Sequence, residues 1–260
     1  MTDLITLTVE GDVARLMLNR PDRKNAVSQA MWDVLPALLT TVENDPRVKV
    51  MVLGSATPGM FCAGADIEEF AQFAAEPAWR EANQAAIRAT QVQLARLAKP
   101  TIAEVDGACV GAGCGLAIAC DLRVASHTAR LGITPAKLGL VYPLHDTKLL
   151  VDLVGPSRAK WLLYTGRLVS ADEALTMGLV DHVVPAEDLR ASTLSLAASI
   201  AATSQHTVRA TKRIVRRILD GQADDDAETV AQFNDAFTGP DHIEGVAAFR
   251  AKRAPVFPVR

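Results

Sequence analysis

Residues 101–125, TIAEVDGACVGAGCGLAIACDLRVA, contain extended and helical patterns within one short stretch. The apolar residues 101–105 predict a buried strand, and the turn that follows them is rich in glycine. Small residues over 112–120 predict a closely packed helix, and residues 122–125 predict another strand. A strand, a turn, a helix and a strand in this order indicate an α/β fold.

The N-terminal part of the chain shows a similar order of predicted strands and helices. Residues 4–9 and 12–18 alternate on either side of Gly11-Asp12, which predicts a β-hairpin. Ser28 is a candidate N-cap for a helix that runs to about residue 44, and residues 48–53 predict a buried strand. A polar helix at roughly 76–98 then leads into the strand at residue 101. We therefore expect repeated β-β-α units.

The C-terminal part of the chain is dominated by helical patterns. Beyond Pro156 only residues 179–184 look extended, and helices are predicted at 187–202, 205–220, 224–237 and 241–252. We divide the chain into an α/β core, residues 1–200, and a helical C-terminal oligomerisation region, residues 201–260. Apolar residues of that region, including Ile214, Ile218 and Leu219, predict a surface that a partner subunit covers.

Composition excludes several classes of protein. The chain has 260 residues, 49% of them hydrophobic, which is enough to bury a full core. A net charge of −3 and a pI near 6.0 argue against a nucleic-acid partner. The longest uncharged apolar run, residues 107–120, has 14 residues, fewer than the roughly 20 that a membrane helix needs. The first residues show no signal-peptide pattern, so we expect a cytoplasmic protein without a membrane partner.

The cysteines show no metal-binding or disulfide pattern. They form no C-x-x-C pair and lie among small apolar residues. We expect them to be reduced packing residues and predict no metal site. They are Cys62, Cys109, Cys114 and Cys120.

Two small-residue loops, FCAGAD at residues 61–66 and GACVGAGCG at residues 107–115, each lie between a predicted strand and a predicted helix. The first amides of a helix have no intrahelical partner, and small side chains let a ligand approach the backbone. Two such amide sources that face each other would form an oxyanion hole.

Each loop on its own also fits an ordinary strand-to-helix turn. A nucleotide-phosphate loop is the sharper alternative, because Gly111-Ala112-Gly113 begins like G-x-G-x-x-G. Leu116 occupies the third glycine position, however, and no acidic residue closes a βαβ unit about 20 residues further on. This argues against a dinucleotide cofactor.

Taken together, the segments resemble the crotonase (enoyl-CoA hydratase/isomerase) superfamily over nearly the whole chain. Their order and spacing carry the resemblance. The matching segments are LNRP at 18–21 with Asn25-Ala26, FCAGAD at 61–66, residues 105–121, LGL at 138–140, ADEA at 171–174 with GLVD at 178–181, and the tail from residue 244 to residue 257.

The resemblance implies a spiral of β-β-α turns with a helical C-terminal trimerisation region and assembly into trimers or hexamers. It places the amides of Ala65 and Ala112 in the oxyanion hole. It implies an acyl-CoA thioester as substrate, with coenzyme A as part of that substrate and no separate cofactor. The positions that match the family's coenzyme A contacts are Arg23, Lys24, Asn25, Ala63, Asp66, Ile67 and Glu68, together with Phe249 and Lys252 towards the nucleotide end.

The sequence departs from the hydratase members at their two glutamates. The first would align with Gly115 and the second with Pro135. Neither residue can accept or donate a proton, so we do not expect ordinary hydration. We predict an enzyme of this family, a lyase or isomerase, that stabilises a thioester enolate. A decarboxylase, a thioester or C–C hydrolase, and a non-catalytic acyl-CoA binder remain alternatives.

Protic side chains between residues 134 and 148 are the candidates for replacing the glutamates. This stretch is similar to the T-P-x-x-L-G-x-x-Y pattern of the methylmalonyl-CoA decarboxylase branch, in which Tyr142 would lie near a substrate carboxylate. His145 and Asp146 suit general-base chemistry. Alternatively, they simply begin a helix over 146–154, where Asp146 would stabilise the helix dipole.

Overall fold

The computed structural model describes residues 4–258, so the outer limits predicted for the two regions, residues 1 and 260, lie outside the described residues. The strands are β1 (Ile5–Glu10), β2 (Val13–Leu18), β3 (Val50–Ser55), β4 (Met60–Cys62), β5 (Thr101–Val105), β6 (Ala108–Val110), β7 (Leu122–Ser126), β8 (Arg130–Gly132), β9 (Val169–Ser170) and β10 (His182–Val184). The α-helices are α1 (Gln29–Asn44), α2 (Ile67–Phe73), α3 (Pro77–Arg96), α4 (Ala112–Ala119), α5 (Leu144–Thr165), α6 (Ala171–Met177), α7 (Leu189–Ala201), α8 (Gln205–Leu219), α9 (Ala227–Ala236) and α10 (Pro240–Ala251).

The strands form two sheets. One has the order β1-β2-β3-β5-β7-β10 and the other the order β4-β6-β8-β9. The predicted hairpin is confirmed, because β1 and β2 pair antiparallel from Ile5 opposite Leu18 to Glu10 opposite Val13. The pairs β3/β4, β5/β6 and β7/β8 each give one strand to each sheet before the chain enters a helix. This repetition confirms the predicted β-β-α units.

Helix α4 lies in the core, and its small residues explain how it fits there. Residues 113–119 are all buried. A Cβ added at Gly113 would lie 2.6 Å from Cβ of Cys62, so the first turn of α4 packs directly on β4. The four cysteines are free and buried, as predicted. Dense packing of this kind leaves no room for larger side chains on this face of the helix.

Helix α7 covers the other face of the six-stranded sheet. Its Leu189, Ala197 and Ala201 pack with apolar residues of β3, β5 and β7. The core between α1 and the sheets contains fully buried large side chains, among them Trp32 and Phe61. Both faces of the parallel strands are therefore buried, which explains their continuous apolar sequences.

Two predicted boundaries are shifted. The helix expected at 146–154 begins two residues earlier, at Leu144, and its predicted end is confirmed, because Gly155, with φ of 77° and ψ of 163°, is not helical. Glycine adopts this backbone conformation without strain, and a second helical segment follows the kink and ends at Thr165, so that α5 consists of two helical parts. The strand expected at 179–184 is confined to β10, which pairs with β7 from His182 onwards.

The C-terminal helices carry exposed apolar side chains. Phe233 is 66% exposed, Ile243 63% and Phe249 86%. Helix α8 is tied to the core by Nζ of Lys212, which lies 2.7 Å from Oδ2 of Asp121. The division at residue 200 and the trimerisation of this region stay predictions. Within residues 4–258, no helix is long and apolar enough to cross a membrane.

Candidate active site

The two small-residue loops lie side by side because the strands before them are neighbours. Strands β4 and β6 pair in parallel, with Cys62 opposite Cys109. Ala65 and Ala112 each follow three residues after these cysteines. A Cβ added at Gly111 would lie 3.8 Å from Cα of Gly64, and the two loops are therefore in van der Waals contact.

The loop backbones leave two amides without partners. The N–H of Val27 donates to the carbonyl of Gly64 at 2.8 Å, and the N–H of Asp66 donates to the carbonyl of Val27 at 3.1 Å. The N–H of Ala65, between them, donates to no other residue among 4–258. Ala112 is the first residue of α4, and its N–H is equally free within the described part of the chain. These are the two N–H groups that the family resemblance placed in an oxyanion hole.

Gly115, where the first hydratase glutamate would align, lies one turn further along α4. A Cβ added there would lie 2.7 Å from Nε2 of Gln91 and 3.0 Å from Oη of Tyr142. Two neutral polar side chains therefore occupy the space that a side chain at position 115 would need. Gln91 was not predicted as a site residue from the sequence. Its only distinguishing feature there is its place one helical turn before the apolar Leu94, which is buried in α3.

Gln91, Tyr142, His145 and Asp146 together form what we call the buried polar cluster. Each has a buried side-chain atom with no hydrogen-bond partner among the described residues: Gln91 Oε1, Tyr142 Oη, His145 Nε2 and Asp146 Oδ1. His145 Nε2 lies 3.0 Å from Asp146 Oδ1, but their relative orientation does not make a hydrogen bond. Buried polar atoms are normally satisfied, so this cluster indicates a place where a ligand or water binds.

Burial changes the protonation of the cluster. Removal from water raises the pKa of Asp146 to about 7. The pKa of Tyr142 is raised by burial of its hydroxyl and then by the charge of Asp146, although part of the residue remains exposed. Burial and the nearby Arg88 lower the pKa of His145. At neutral pH the cluster thus offers a neutral imidazole, a protonated phenol and a carboxyl group that titrates near 7, which suits general acid–base catalysis.

Helix capping does not account for Asp146. Both His145 and Asp146 lie in the first turn of α5, as the alternative interpretation expected. The helix has no side-chain N-cap hydrogen bond, however, and the side chain of Asp146 is only 2% exposed. A carboxylate that served only the helix dipole would lie in water, where its charge is solvated.

Pro135, where the second hydratase glutamate would align, begins a short 3₁₀ turn that ends at Leu138. The preceding Thr134 lies near the second loop, because a Cβ added at Gly111 would lie 3.9 Å from its Oγ1. No titratable side chain takes the place of the second glutamate at position 135 itself.

The residues predicted to line coenzyme A come from two segments that the structure brings together. The N–H of Ala63 donates to the carbonyl of Lys24 at 3.0 Å. The side chains of Arg23 and Glu68 form an ion pair across the segments. Arg23, Lys24, Ala63 and Ile67 are exposed, so they are available to a ligand.

Asn25 and Asp66 differ from these neighbours because they are buried and already bonded. The Asn25 amide accepts from the N–H of Arg20 at 2.8 Å and donates to the carbonyl of Phe61 at 3.0 Å. Asp66 accepts from the N–H of Glu68 and lies 2.7 Å from Nη1 of Arg20. Burial opposes a low pKa for Asp66, but the Arg20 hydrogen bond and charge leave this pKa lowered. Their side chains fix the loop, and their contact with coenzyme A stays a prediction.

Phe249 and Lys252 lie apart from the loops in sequence, at the end of α10. Phe249 is largely exposed, and Lys252 follows the helix in a left-handed conformation with φ of 52°. Their contact with the nucleotide end of coenzyme A stays a prediction.

A cavity of about 740 Å³ lies at the other end of α4. It is bounded by the last residues of α4 and by α5, α7 and α8, and none of the predicted site residues lines it. Arg123, whose Nε has no hydrogen-bond partner among the described residues, and Cys120, whose pKa burial raises to about 12, line this cavity. The two free amides and the buried polar cluster lie elsewhere. We therefore take the loops and the buried polar cluster as the candidate active site, because the two free amides and a group of titratable side chains lie there.

Comparison with known proteins identifies the family of the chain. The family model described as enoyl-CoA hydratase/isomerase matches residues 8–260. A probable enoyl-CoA hydratase of Mycobacterium tuberculosis is 36% identical over 256 residues, 97% of each chain. A crotonyl-CoA hydratase of Syntrophomonas wolfei is 34% identical over 254 residues, again 97% of each chain.

Solved structures agree in fold. A structure from Hyphomonas neptunium, described as a putative enoyl-CoA hydratase/isomerase family protein, superimposes with a TM-score of 0.96 at 40% identity, covering 100% of this chain and 99% of that one. An enoyl-CoA hydratase of Bacillus anthracis gives a TM-score of 0.90 at 31% identity, covering 99% and 100%. The chain therefore belongs to the enoyl-CoA hydratase/isomerase family, also known as the crotonase superfamily.

Proposed function

We propose that this protein is an enzyme that binds an acyl-CoA thioester and stabilises its enolate with the N–H groups of Ala65 and Ala112. The observation that carries the proposal is the pair of unpartnered amides at matching positions of two adjacent loops. Preorganised donors of this kind stabilise negative charge as it develops on a thioester oxygen. The names of the relatives support an acyl-CoA substrate.

Asp146 is the proposed general base. Its pKa of about 7 lets it accept a proton near neutral pH, and its unpartnered oxygen is free to do so. Tyr142 and His145 are proposed to orient the substrate and to pass protons on. Ordinary hydration of an enoyl-CoA is expected to be slow, because Gly115 and Pro135 cannot activate the attacking water.

Coenzyme A, carried by the substrate, is proposed to lie along the exposed residues Arg23, Lys24, Ala63 and Ile67, so that no separate cofactor is needed. The cationic side chains of Arg23 and Lys24 would contact its phosphates. A homotrimer or hexamer is proposed as the assembly, because the exposed apolar residues of α9 and α10 need a cover.

Decarboxylation of a carboxyacyl-CoA is the second candidate. It needs the same enolate, and the hydroxyl of Tyr142 beside Gly115 favours it, since that hydroxyl could hold the carboxylate. The carboxyl of Asp146 next to it argues against an anionic substrate group, because like charges in a buried site repel.

Exchange of α-protons tests enolate formation independently of the final product. Butyryl-CoA is incubated with the protein in D₂O, and loss of the α-proton signal is followed by NMR. We expect exchange with the native chain and none with Asp146→Asn. Asp172→Asn is the matched control, because Asp172 is exposed and lies on α6. Absence of exchange with the native chain would refute enolate formation.

Parallel incubations with crotonyl-CoA and methylmalonyl-CoA identify the reaction. Turnover of crotonyl-CoA at ordinary enzyme rates would contradict the expected loss of hydration. Rapid release of carbon dioxide from methylmalonyl-CoA would favour decarboxylation. Tight binding without exchange or turnover would identify a non-catalytic binder.

A further inference from the structure

Gln91 stands apart from the other buried polar residues of α3. Asn83 donates from its amide to Oε1 of Gln29 at 2.8 Å, and the hydroxyl of Thr90 donates to the carbonyl of Trp32 at 3.3 Å. Gln91 is only 1% exposed, yet its Oε1 has no hydrogen-bond partner among the described residues. An ordinary core glutamine would have a partner inside the protein, because an unmet buried amide is destabilising.

The position of Gln91 points its amide at the proposed substrate. Its Nε2 reaches to within 2.7 Å of the point where a Cβ of Gly115 would lie. Gly115 follows Ala112 by three residues, so both lie on one face of α4, about 4.5 Å apart along the helix axis. An acyl group whose carbonyl oxygen meets the N–H of Ala112 would thus extend past the Gln91 amide.

The chemistry around Gln91 selects for an uncharged polar group. An amide offers one acceptor and two donors in either orientation, and the hydroxyl of Tyr142 offers both. Among the described residues, the only ion-pair contact of Asp146 is with His145, so no Lys or Arg neutralises its carboxylate. A hydroxyl or oxo group can satisfy these atoms, a hydrocarbon leaves them unpaired, and a carboxylate is repelled.

We propose that Gln91 contacts the acyl group of the bound thioester over Gly115 and selects acyl groups that carry an uncharged oxygen near the third carbon. This inference rests on the proposed acyl-CoA function. Gln91, which belongs to α3, occupies the space left by the missing side chain at position 115 and recognises the substrate from there. Glycine at 115 is then required by the Gln91 amide and is not merely the loss of a glutamate.

Calorimetric titration at pH 8 tests the selection with three ligands: 3-hydroxybutyryl-CoA, butyryl-CoA and malonyl-CoA. We expect the native chain to bind 3-hydroxybutyryl-CoA at least tenfold more tightly than the other two. Gln91→Met keeps the length of the side chain but removes its hydrogen bonds, and should reduce this ratio to about threefold or less. The matched control is Gln93→Met, because Gln93 is on the same helix and bonds to Pro36 and Thr40 instead.

A second variant tests the same contact even if the Gln91→Met protein does not fold. Gly115→Ala places a methyl group against the Gln91 amide and should lower the ratio as Gln91→Met does. In the double variant the two losses should not add, because both act on one contact.

The outcomes separate the two proposals. Equal affinity of the native chain for 3-hydroxybutyryl-CoA and butyryl-CoA, or an unchanged ratio in Gln91→Met, would overturn the role of Gln91 and leave the acyl-CoA function standing. Preference for malonyl-CoA would overturn the selection of an uncharged group. Failure of all three ligands to bind would refute the acyl-CoA function itself.

Discussion

Ala112→Pro removes one proposed oxyanion donor while it keeps the helix that carries it. Ala112 is the first residue of α4, a position where proline is favoured because its backbone needs no N–H partner. The N–H that is lost makes no hydrogen bond within the described residues, so folding loses no internal bond. Gly111 before it, with φ of 52° and ψ of −113°, leaves room for the proline ring because glycine tolerates such angles.

The expected effect is large on the reaction and small on stability. Removal of one donor from an oxyanion hole lowers the rate by about 10²–10³, or about 2.7–4 kcal/mol of transition-state stabilisation. The free energy of unfolding should change by less than about 1 kcal/mol, since no packing contact or internal hydrogen bond is removed.

The rate of α-proton exchange in butyryl-CoA measures the first quantity and urea unfolding measures the second. Ala227→Pro is the matched control, because Ala227 is the first residue of α9 and lies outside the proposed site. A variant Ala112→Pro that keeps its fold and exchanges protons at the native rate would refute the role of this amide.

Three further perturbations test the site and its support. The pKa of Asp146 rises from 3.8 in the unfolded chain to about 7 in the folded protein, so the folded state loses stability as pH rises from about 4 to 7. Asp146→Asn should remove this loss, and its free energy of unfolding at pH 8 should exceed that of the native chain by up to about 4 kcal/mol. Parallel curves of unfolding free energy against pH for the two proteins would disprove the shift. Gly113→Ala should destabilise the protein by about 1–3 kcal/mol in urea, because its methyl group would meet Cys62, and a gain in stability would contradict the close packing of α4 on β4. Asp66→Ala should cost about 1–2 kcal/mol through loss of the α2 cap and the Arg20 pair, and unchanged urea unfolding would exclude this anchoring role.

Local sequence patterns predict the secondary-structure elements that are determined by residues close together in the sequence. The hairpin at Gly11-Asp12, the polar helix α3 and the small-residue helix α4 follow from periodicity and turn residues. The two loops were also found, because a strand, small residues and a helix follow one another directly. These patterns do not show which distant segments of the chain are in contact.

The buried polar cluster depends on such distant contacts. Gln91 belongs to α3 and Tyr142 to the segment before α5, and they meet only because both pack over Gly115. A glutamine in a polar helix gives no sign that it faces a site. Asp146 was recognised as a candidate, but the sequence does not distinguish a solvated first-turn carboxylate from one that is 2% exposed.

Asn25 shows what a motif match does not predict, namely the direction of an individual side chain. The resemblance placed it among the residues that line coenzyme A, and its neighbours Arg23 and Lys24 are exposed. Its own side chain turns inwards and bonds to Arg20, Ser55 and Phe61. A motif match locates a segment of the site, whereas the direction of each side chain depends on the packing around it.

A crystal structure of Asp146→Asn with bound butyryl-CoA would measure the two contacts on which enolate stabilisation depends. We expect the thioester oxygen within about 2.7–3.1 Å of the backbone nitrogens of both Ala65 and Ala112. An oxygen that contacts only one of these nitrogens, or that binds away from the two loops, would contradict the proposed chemistry.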